Sequence, residues 1–323
     1  MRRLFSNTTF DFIGVRRYAY IITAVIFLPG LLLLAVRGLN YSIEFTGGTL
    51  IQVSSRVPVD VGRLRGALDQ SGVPGAEIQS FGGEGGYLVR ARLHAEAKDA
   101  DNTDATVTAV RQGLDQALGA GNYTVVRKEA VGPKVGGELR QRALLAIMVA
   151  FGAILIYLAT RFEWRFGLAS ILATAHDVLG TVIFVSFLRL EVSLVVVGAV
   201  LSVLGLSLNE TIIIFDRVRE NERHRRYPDL KATLNRSINE TLPRTVLTHG
   251  TTLATMLTLT IFGGEVIRPF ALVMFFGVFT GVFSSMFIAP AVLMYIRHRW
   301  PLTGGAAPRA SRTTPGRKPQ PVG

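Results

Sequence analysis

A carboxylate stands inside an apolar run. Gly198 to Asn221 reads GAVLSVLGLSLNETIIIFDRVREN, beginning as a membrane-spanning helix and ending as a charged one, with Asn209-Glu210 near the end of its apolar part. An ionised carboxylate there costs roughly 2.5–3.5 kcal/mol even on lenient insertion scales. His176-Asp177 lies in another apolar run, roughly 15 Å deep at 1.5 Å per residue. Arg244 opens a third, just after Pro243, and His249 follows one to two turns later. Intramembrane carboxylates and histidines recur in proton relays. The chemistry suggested is loading and release of a proton or cation by Glu210 and Asp177, with His176 beside Asp177 and Arg244 tuning affinity. A structural reading competes: Glu210–Arg244 as a buried ion pair fixing helix register, and His176-Asp177 as a local hydrogen-bonded pair. Buried ion pairs stabilise weakly because desolvation offsets most of the attraction, which favours the relay. His249 reads as structural.

The composition supplies the setting. The chain of 323 residues is 49% hydrophobic and 18% charged, against about 25% charged in soluble proteins. Its mean hydropathy is +0.36. It reads as a polytopic α-helical membrane protein with six transmembrane helices: 18–37, 142–159, 166–187, 192–215, 245–262 and 269–296, the last five forming a block over 140–297. The absence of cysteine excludes thiolate nucleophiles, thiolate metal sites and disulfides. No P-loop, G-x-S-x-G or H-E-x-x-H occurs, so ATP use and hydrolysis have no support. No enzyme activity, cofactor or metal is expected.

Residues 38–139 are polar, Gly-rich and without a span, long enough for one small domain. Thr49–Ser55 alternates as a strand does, and Val61–Ser71 has helical spacing with Asp60 as N-cap. Ala76–Phe81 and Tyr87–Leu93 alternate across GGEGG, Asp104–Leu118 is helical, and Tyr123–Val131 is a final strand. The order β-α-β-β-α-β predicts a ferredoxin-like α+β domain. Twenty Lys and Arg fall in 1–17, 161–165, 216–244 and 297–323, against only Arg189 and Arg268 in the turns 188–191 and 263–268. The positive-inside rule then puts both termini in the cytoplasm and the α+β domain outside. The net charge of +12 is mainly this topology signal, and nucleic-acid binding is not expected. Residues 1–17 form a basic, aromatic cytoplasmic segment that reads as topogenic charge, with contact to anionic membrane lipids as the alternative. The Pro-, Gly- and Arg-rich tail 298–323 reads as disordered.

Small residues recur at helical spacing: Gly198, Ser202, Gly205 and Asn209 in span four, and Gly277, Gly281 and Ser285 in span six. Such stripes let helices approach closely, and packing alone accounts for them.

Six segments together resemble the SecF family, accessory subunits of bacterial protein export within the resistance-nodulation-division superfamily of proton-driven transporters. They are NYSIEFTGG (40–48), VGPKVGGEL (131–139), TAHDV (174–178), SLNETIIIFDRVREN (207–221), PRTVLTHGTTL (243–253) and FGG (262–264). The resemblance implies a bacterial inner-membrane protein with a SecD partner supplying six further spans. It also implies assistance to the SecYEG channel, in which the proton-motive force is used to move an exported unfolded polypeptide. The family's acidic residue on span four falls on Glu210 and its arginine at the start of span five on Arg244. Where the family usually has Asp, this chain has Glu at 210 and 44. Glu44 reads as part of a hinge with Gly47-Gly48, matched by Gly132–Gly137, with Gly132 and Gly136 among its members. Two other readings fit six spans and one domain: half of a proton-driven exporter of lipids or small molecules, and a scaffold holding a channel.

Overall fold

The computed structural model describes residues 8–80, 85–91, 102–224 and 227–300. Helix α1 (Arg16–Arg37) leads through strand β1 (Asn40–Tyr41) and a one-turn helix α2 (Ile43–Thr46) into the α+β domain. That domain comprises β2 (Gly48–Ser55), α3 (Val61–Gln70), β3 (Glu77–Ser80), β4 (Gly86–Ala91), α4 (Asn102–Leu118) and β5 (Tyr123–Val131). Then follow α5 (Pro133–Arg161), α6 (Trp164–Phe187), β6 (Glu191–Val192), α7 (Leu194–Arg223), α8 (Leu230–Phe262) and α9 (Gly264–Phe283). A π-helical turn, Ser284–Ile288, joins α9 to α10 (Ala289–Arg299). Among the described residues, six helices are long and apolar enough to cross a membrane, α9 to α10 counting as one.

The domain is a four-stranded antiparallel sheet of order β3-β4-β2-β5. Alternation decides its faces: Ile51, Val53, Tyr87 and Val89 point to α3 and α4, where Leu64, Leu68, Val110 and Leu114 are fully buried. Asp60 caps α3 as expected, accepting from Gly62 N at 2.8 Å. Part of the expected GGEGG hairpin, 92–93 of the expected strand, and the tail 301–323 lie outside the described residues. A second, two-stranded parallel sheet pairs Asn40 with Glu191 and Tyr41 with Val192. The turn expected at 188–191 thus leads into a strand that meets the chain just after α1.

Helices α5, α7 and α8 outrun the apolar spans 142–159, 192–215 and 245–262, α8 by the most. Helix α8 begins at Leu230, where Asp229 accepts from Ala232 N at 2.7 Å, and it passes Pro243 unbroken. Its polar first half packs on the end of α7, with Asn221 donating to Ser237 at 2.9 Å and Arg217 paired to Glu240 at 2.6 Å. A hydropathy window sees only the apolar half. The segment before α1 is docked on this same extension. Asn239 and Phe10 exchange two hydrogen bonds, at 3.0 and 2.9 Å. Asn235 accepts from Ile13 N at 2.9 Å, and Ile13 is fully buried. Residues 8–15 are thus held against α8, with Phe10 and Val15 left exposed.

The small-residue stripes divide. A Cβ on Gly277 would sit 2.2 Å from Val203 Cγ2, and one on Gly281 would sit 3.2 Å from Ser207 Cβ, so α9 and α7 meet there. Gly205 has open space, and Gly205, Ser202 and Asn209 are exposed. Gly277→Ala is therefore expected to cost about 1–3 kcal/mol by overpacking. Gly281→Ala should cost less, and Gly205→Ala should be neutral in the isolated chain. Thermal-unfolding midpoints in mild detergent check the ranking.

Candidate functional site

Asp177 on α6 is fully buried. Ser284 donates to its Oδ2 at 2.5 Å, and Ser207 of α7 donates to the same oxygen. His176 Nδ1 lies 3.0 Å from Oδ1. The other ring nitrogen of His176 is 3.4 Å from Thr23 Oγ1 of α1, and the ring stacks on Phe27 at 4.5 Å. Three helical segments thus meet at one carboxylate, α6, α7 and the π-helical turn, and α1 reaches it through His176. Ser284 opens the π-helical turn; such a turn changes the register of the residues on it and is frequent at functional sites.

Glu210 is 1% exposed. Thr245 of α8 donates its hydroxyl to Oε1, and His249 Nδ1 lies 3.7 Å from Oε2. That separation is within ion-pair reach and beyond a hydrogen bond. The expected Glu210–Arg244 pair is not formed. Arg244 is exposed and joins no ion pair among the described residues. Consecutive helix residues point about 100° apart at 3.6 residues per turn. Once Thr245 faces Glu210, Arg244 turns toward the outside of the bundle; Asn209, next to Glu210 on α7, is exposed as well.

The ionisable residues do not make one cluster. They make two, joined along α7: Ser207 serves Asp177 and Glu210 stands three residues on, so both lie on one helix face. Thr211 ties this turn by donating to Ser207 O at 3.2 Å. Sequence reading missed Ser207, Ser284 and Thr245, and gave His249 a structural role. The spacing Thr245–His249, one turn apart on α8, carried a signal for one of them. Nothing in a 3.6-residue period shows that Ser284 turns toward Asp177.

The glycine-rich segment bears on the same helix. Gly47 and Gly48 have φ of 73° and 136°, conformations that disfavour side chains. A Cβ on Gly136 would lie 3.0 Å from Gly47 N, so α5 starts against the backbone of α2; one on Gly132 meets nothing within 4 Å. Glu44 accepts from Leu194 N at 2.6 Å and so caps α7. This is a role that its neighbouring glycines did not reveal.

Comparison with known proteins accords with this geometry. The description "Protein export membrane protein SecD/SecF, C-terminal" matches residues 112–299, and "SecD/SecF GG Motif" matches 32–59. The chain is 49% identical over 317 residues to protein translocase subunit SecF of Gemmatimonas aurantiaca, covering 97% of this chain and 95% of that one. It is 39% identical to the Pseudomonas aeruginosa SecF over 289 residues, covering 89% and 92%. The crystal structure of SecDF, a translocon-associated membrane protein from Thermus thermophilus, superposes with a TM-score of 0.76 at 36% identity, over 91% of this chain and 39% of that one. A six-helix bundle with a small α+β domain after its first helix and these matches over nearly the whole chain lead to one assignment: the chain belongs to the SecF family of protein translocase subunits, with an accessory role in protein export.

Proposed function

We propose that this chain, joined to a SecD partner, uses the proton-motive force to assist export of unfolded polypeptide through the SecYEG channel. The observation that carries the proposal is Glu210. It is buried, its hydrogen bond comes from a neutral hydroxyl, and a histidine stands within ion-pair reach. Charging or neutralising such a group changes which helix packing is favoured, because desolvation and pairing respond oppositely to charge. His176 and Asp177 form the second relay point, with Ser207 bridging toward Glu210. Both termini lie in the cytoplasm of a bacterial inner-membrane protein, and the βαββαβ domain, ferredoxin-like in strand order, lies outside. Gly47, Gly48, Gly132 and Gly136 are the joints through which it moves with the bundle.

Arg244 supports the partner. An arginine at the outer surface of a spanning helix is costly in lipid. Its exposure, together with the exposed Asn209 and the open Gly205 stripe of α7, suits a protein neighbour. Arg244→Met is expected to leave the isolated chain's melting midpoint unchanged and to reduce proton flux in proteoliposomes holding the assembled complex. Wild-type flux in both Arg244→Met and Glu210→Gln would sink the relay and leave a scaffold. Proton flux without a dependence on exported polypeptide would favour an exporter instead.

A further inference from the structure

Arg90 joins the α+β domain to the helix bundle. It lies on β4 between Val89 and Ala91, which enter the domain core, and so points from the opposite face of the sheet. It is 6% exposed. One guanidinium nitrogen is 3.1 Å from Glu77 of β3 and 3.4 Å from Asn40 Oδ1 of β1. The other terminal nitrogen donates to the carboxylate of Glu191 in β6. Asn40 and Glu191 are register partners, so Arg90 closes the ladder that ties α1 to the turn between α6 and α7. Beside it, a cavity of about 250 Å³ separates Leu50, Gln52 and Leu88 on the sheet's free face from Ser193, Val195 and Pro269 of the bundle.

We propose that Arg90, gripping Glu191 and Asn40, is the latch that docks the α+β domain on the ends of α6 and α7 and releases it as a unit. The position gives the latch its use. It sits beside the first turn of α7, which Glu44 caps, and α7 carries Ser207 and Glu210. A cavity behind the contact leaves room for the sheet to rock. The contact itself is made by Arg90, Glu77, Asn40 and Glu191, none of which belongs to the Asp177 or Glu210 sites.

The latch responds to pH on the domain's side. The charged groups facing Glu191 are Arg90 of β4, Arg127 and Glu129 of β5, and Glu77 of β3; Glu44 of α2 and Arg189 of its own turn line the same cavity. Burial pushes the Glu191 carboxyl up, with Arg90 and Arg127 opposing. A carboxyl raised in the docked form binds its proton more readily there than when released, so acidification favours docking. Arg90 meanwhile retains Glu77 and Asn40.

The cysteine-free sequence permits a clean test. Spin labels on Gln70→Cys and Val266→Cys, in the full chain in nanodiscs, report the distance between domain and bundle by pulsed EPR from about pH 8 to about pH 5. The wild type should show one narrow docked distance whose population grows on acidification. Arg90→Met should lose the narrow peak while hydrogen exchange shows the β2–β4 amides still protected. Glu191→Gln should stay docked without pH dependence. Should Arg90→Met unfold the domain, Glu191→Lys opposes Arg90 from the turn and must give the same release. A wild-type distribution in Glu191→Lys, or in a folded Arg90→Met, overturns the latch; wild-type release on acidification overturns its pH response.

Discussion

Glu210→Gln is expected to keep the fold and abolish the dependence of export on a proton gradient. The amide is nearly isosteric with the carboxyl. Its oxygen still accepts from Thr245, while its NH2 group faces His249 Nδ1 at a separation beyond a hydrogen bond, so the variant carries one under-satisfied donor at a cost of roughly 1–3 kcal/mol. What disappears is the capacity to change charge. One proton moved through 100 mV supplies about 2.3 kcal/mol, equivalent to a bias of about 50-fold between two packing arrangements. The variant should therefore lose up to that factor in gradient-stimulated export while its unstimulated rate and its binding to the partner persist. The measurement is preprotein import into inverted vesicles, with and without uncoupler. A variant stimulated as strongly as wild type would remove Glu210 from the coupling. Glu210→Asp is the informative companion. It restores a titratable group about one methylene shorter, so the distance to Thr245 decides whether coupling returns.

Asp177 should separate stability from chemistry. Asp177→Ala removes the acceptor for Ser207, Ser284 and His176 together. A buried polar group left unsatisfied costs roughly 1–3 kcal/mol. Ser284 can turn its hydroxyl to Gly281 O, 3.2 Å away, so the loss falls mainly on Ser207 and His176. The expected net effect is about 2–4 kcal/mol and a clearly lower melting midpoint. Asp177→Asn retains an oxygen for the two serines and offers its NH2 to His176 in the tautomer with bare Nδ1. It should melt near wild type. If it also blocks proton flux, Asp177 is a relay point; if flux is normal, Asp177 only organises the bundle. An unchanged melting midpoint for Asp177→Ala would show that the hydroxyls find other partners and that the site is looser than its geometry implies.

Much of the architecture was legible in residue pattern because the responsible forces act locally. Apolar runs the length of a bilayer announced six helices, since backbone polar groups in lipid must be satisfied within the segment. Alternation and turn residues announced four strands and two helices between the first two spans. Glu210 and Asp177 stood out because charge in an apolar run has an energetic cost that composition exposes. The docked N-terminal segment was not legible in the same way. Asn235 and Asn239 look like ordinary polar residues until they meet backbone groups more than 200 positions away. Nor was the full length of α8, whose polar half is helical because it packs on α7.

The sequence by itself determined which residues bear titratable groups in the membrane and how deep along each helix they stand. A rise of 1.5 Å per residue places Arg244 and Glu210 at similar depths. Depth says nothing of azimuth. The rotation of α8 that packing selects turns Thr245 and His249 to Glu210 and sends Arg244 outward. The π-helical turn brings Ser284 to Asp177, and the pairing of β1 with β6 carries Glu191 to Arg90. Rotation, register and strand pairing are set by side chains far apart in the chain. For that reason only the tertiary structure decides which neighbour each buried charge has.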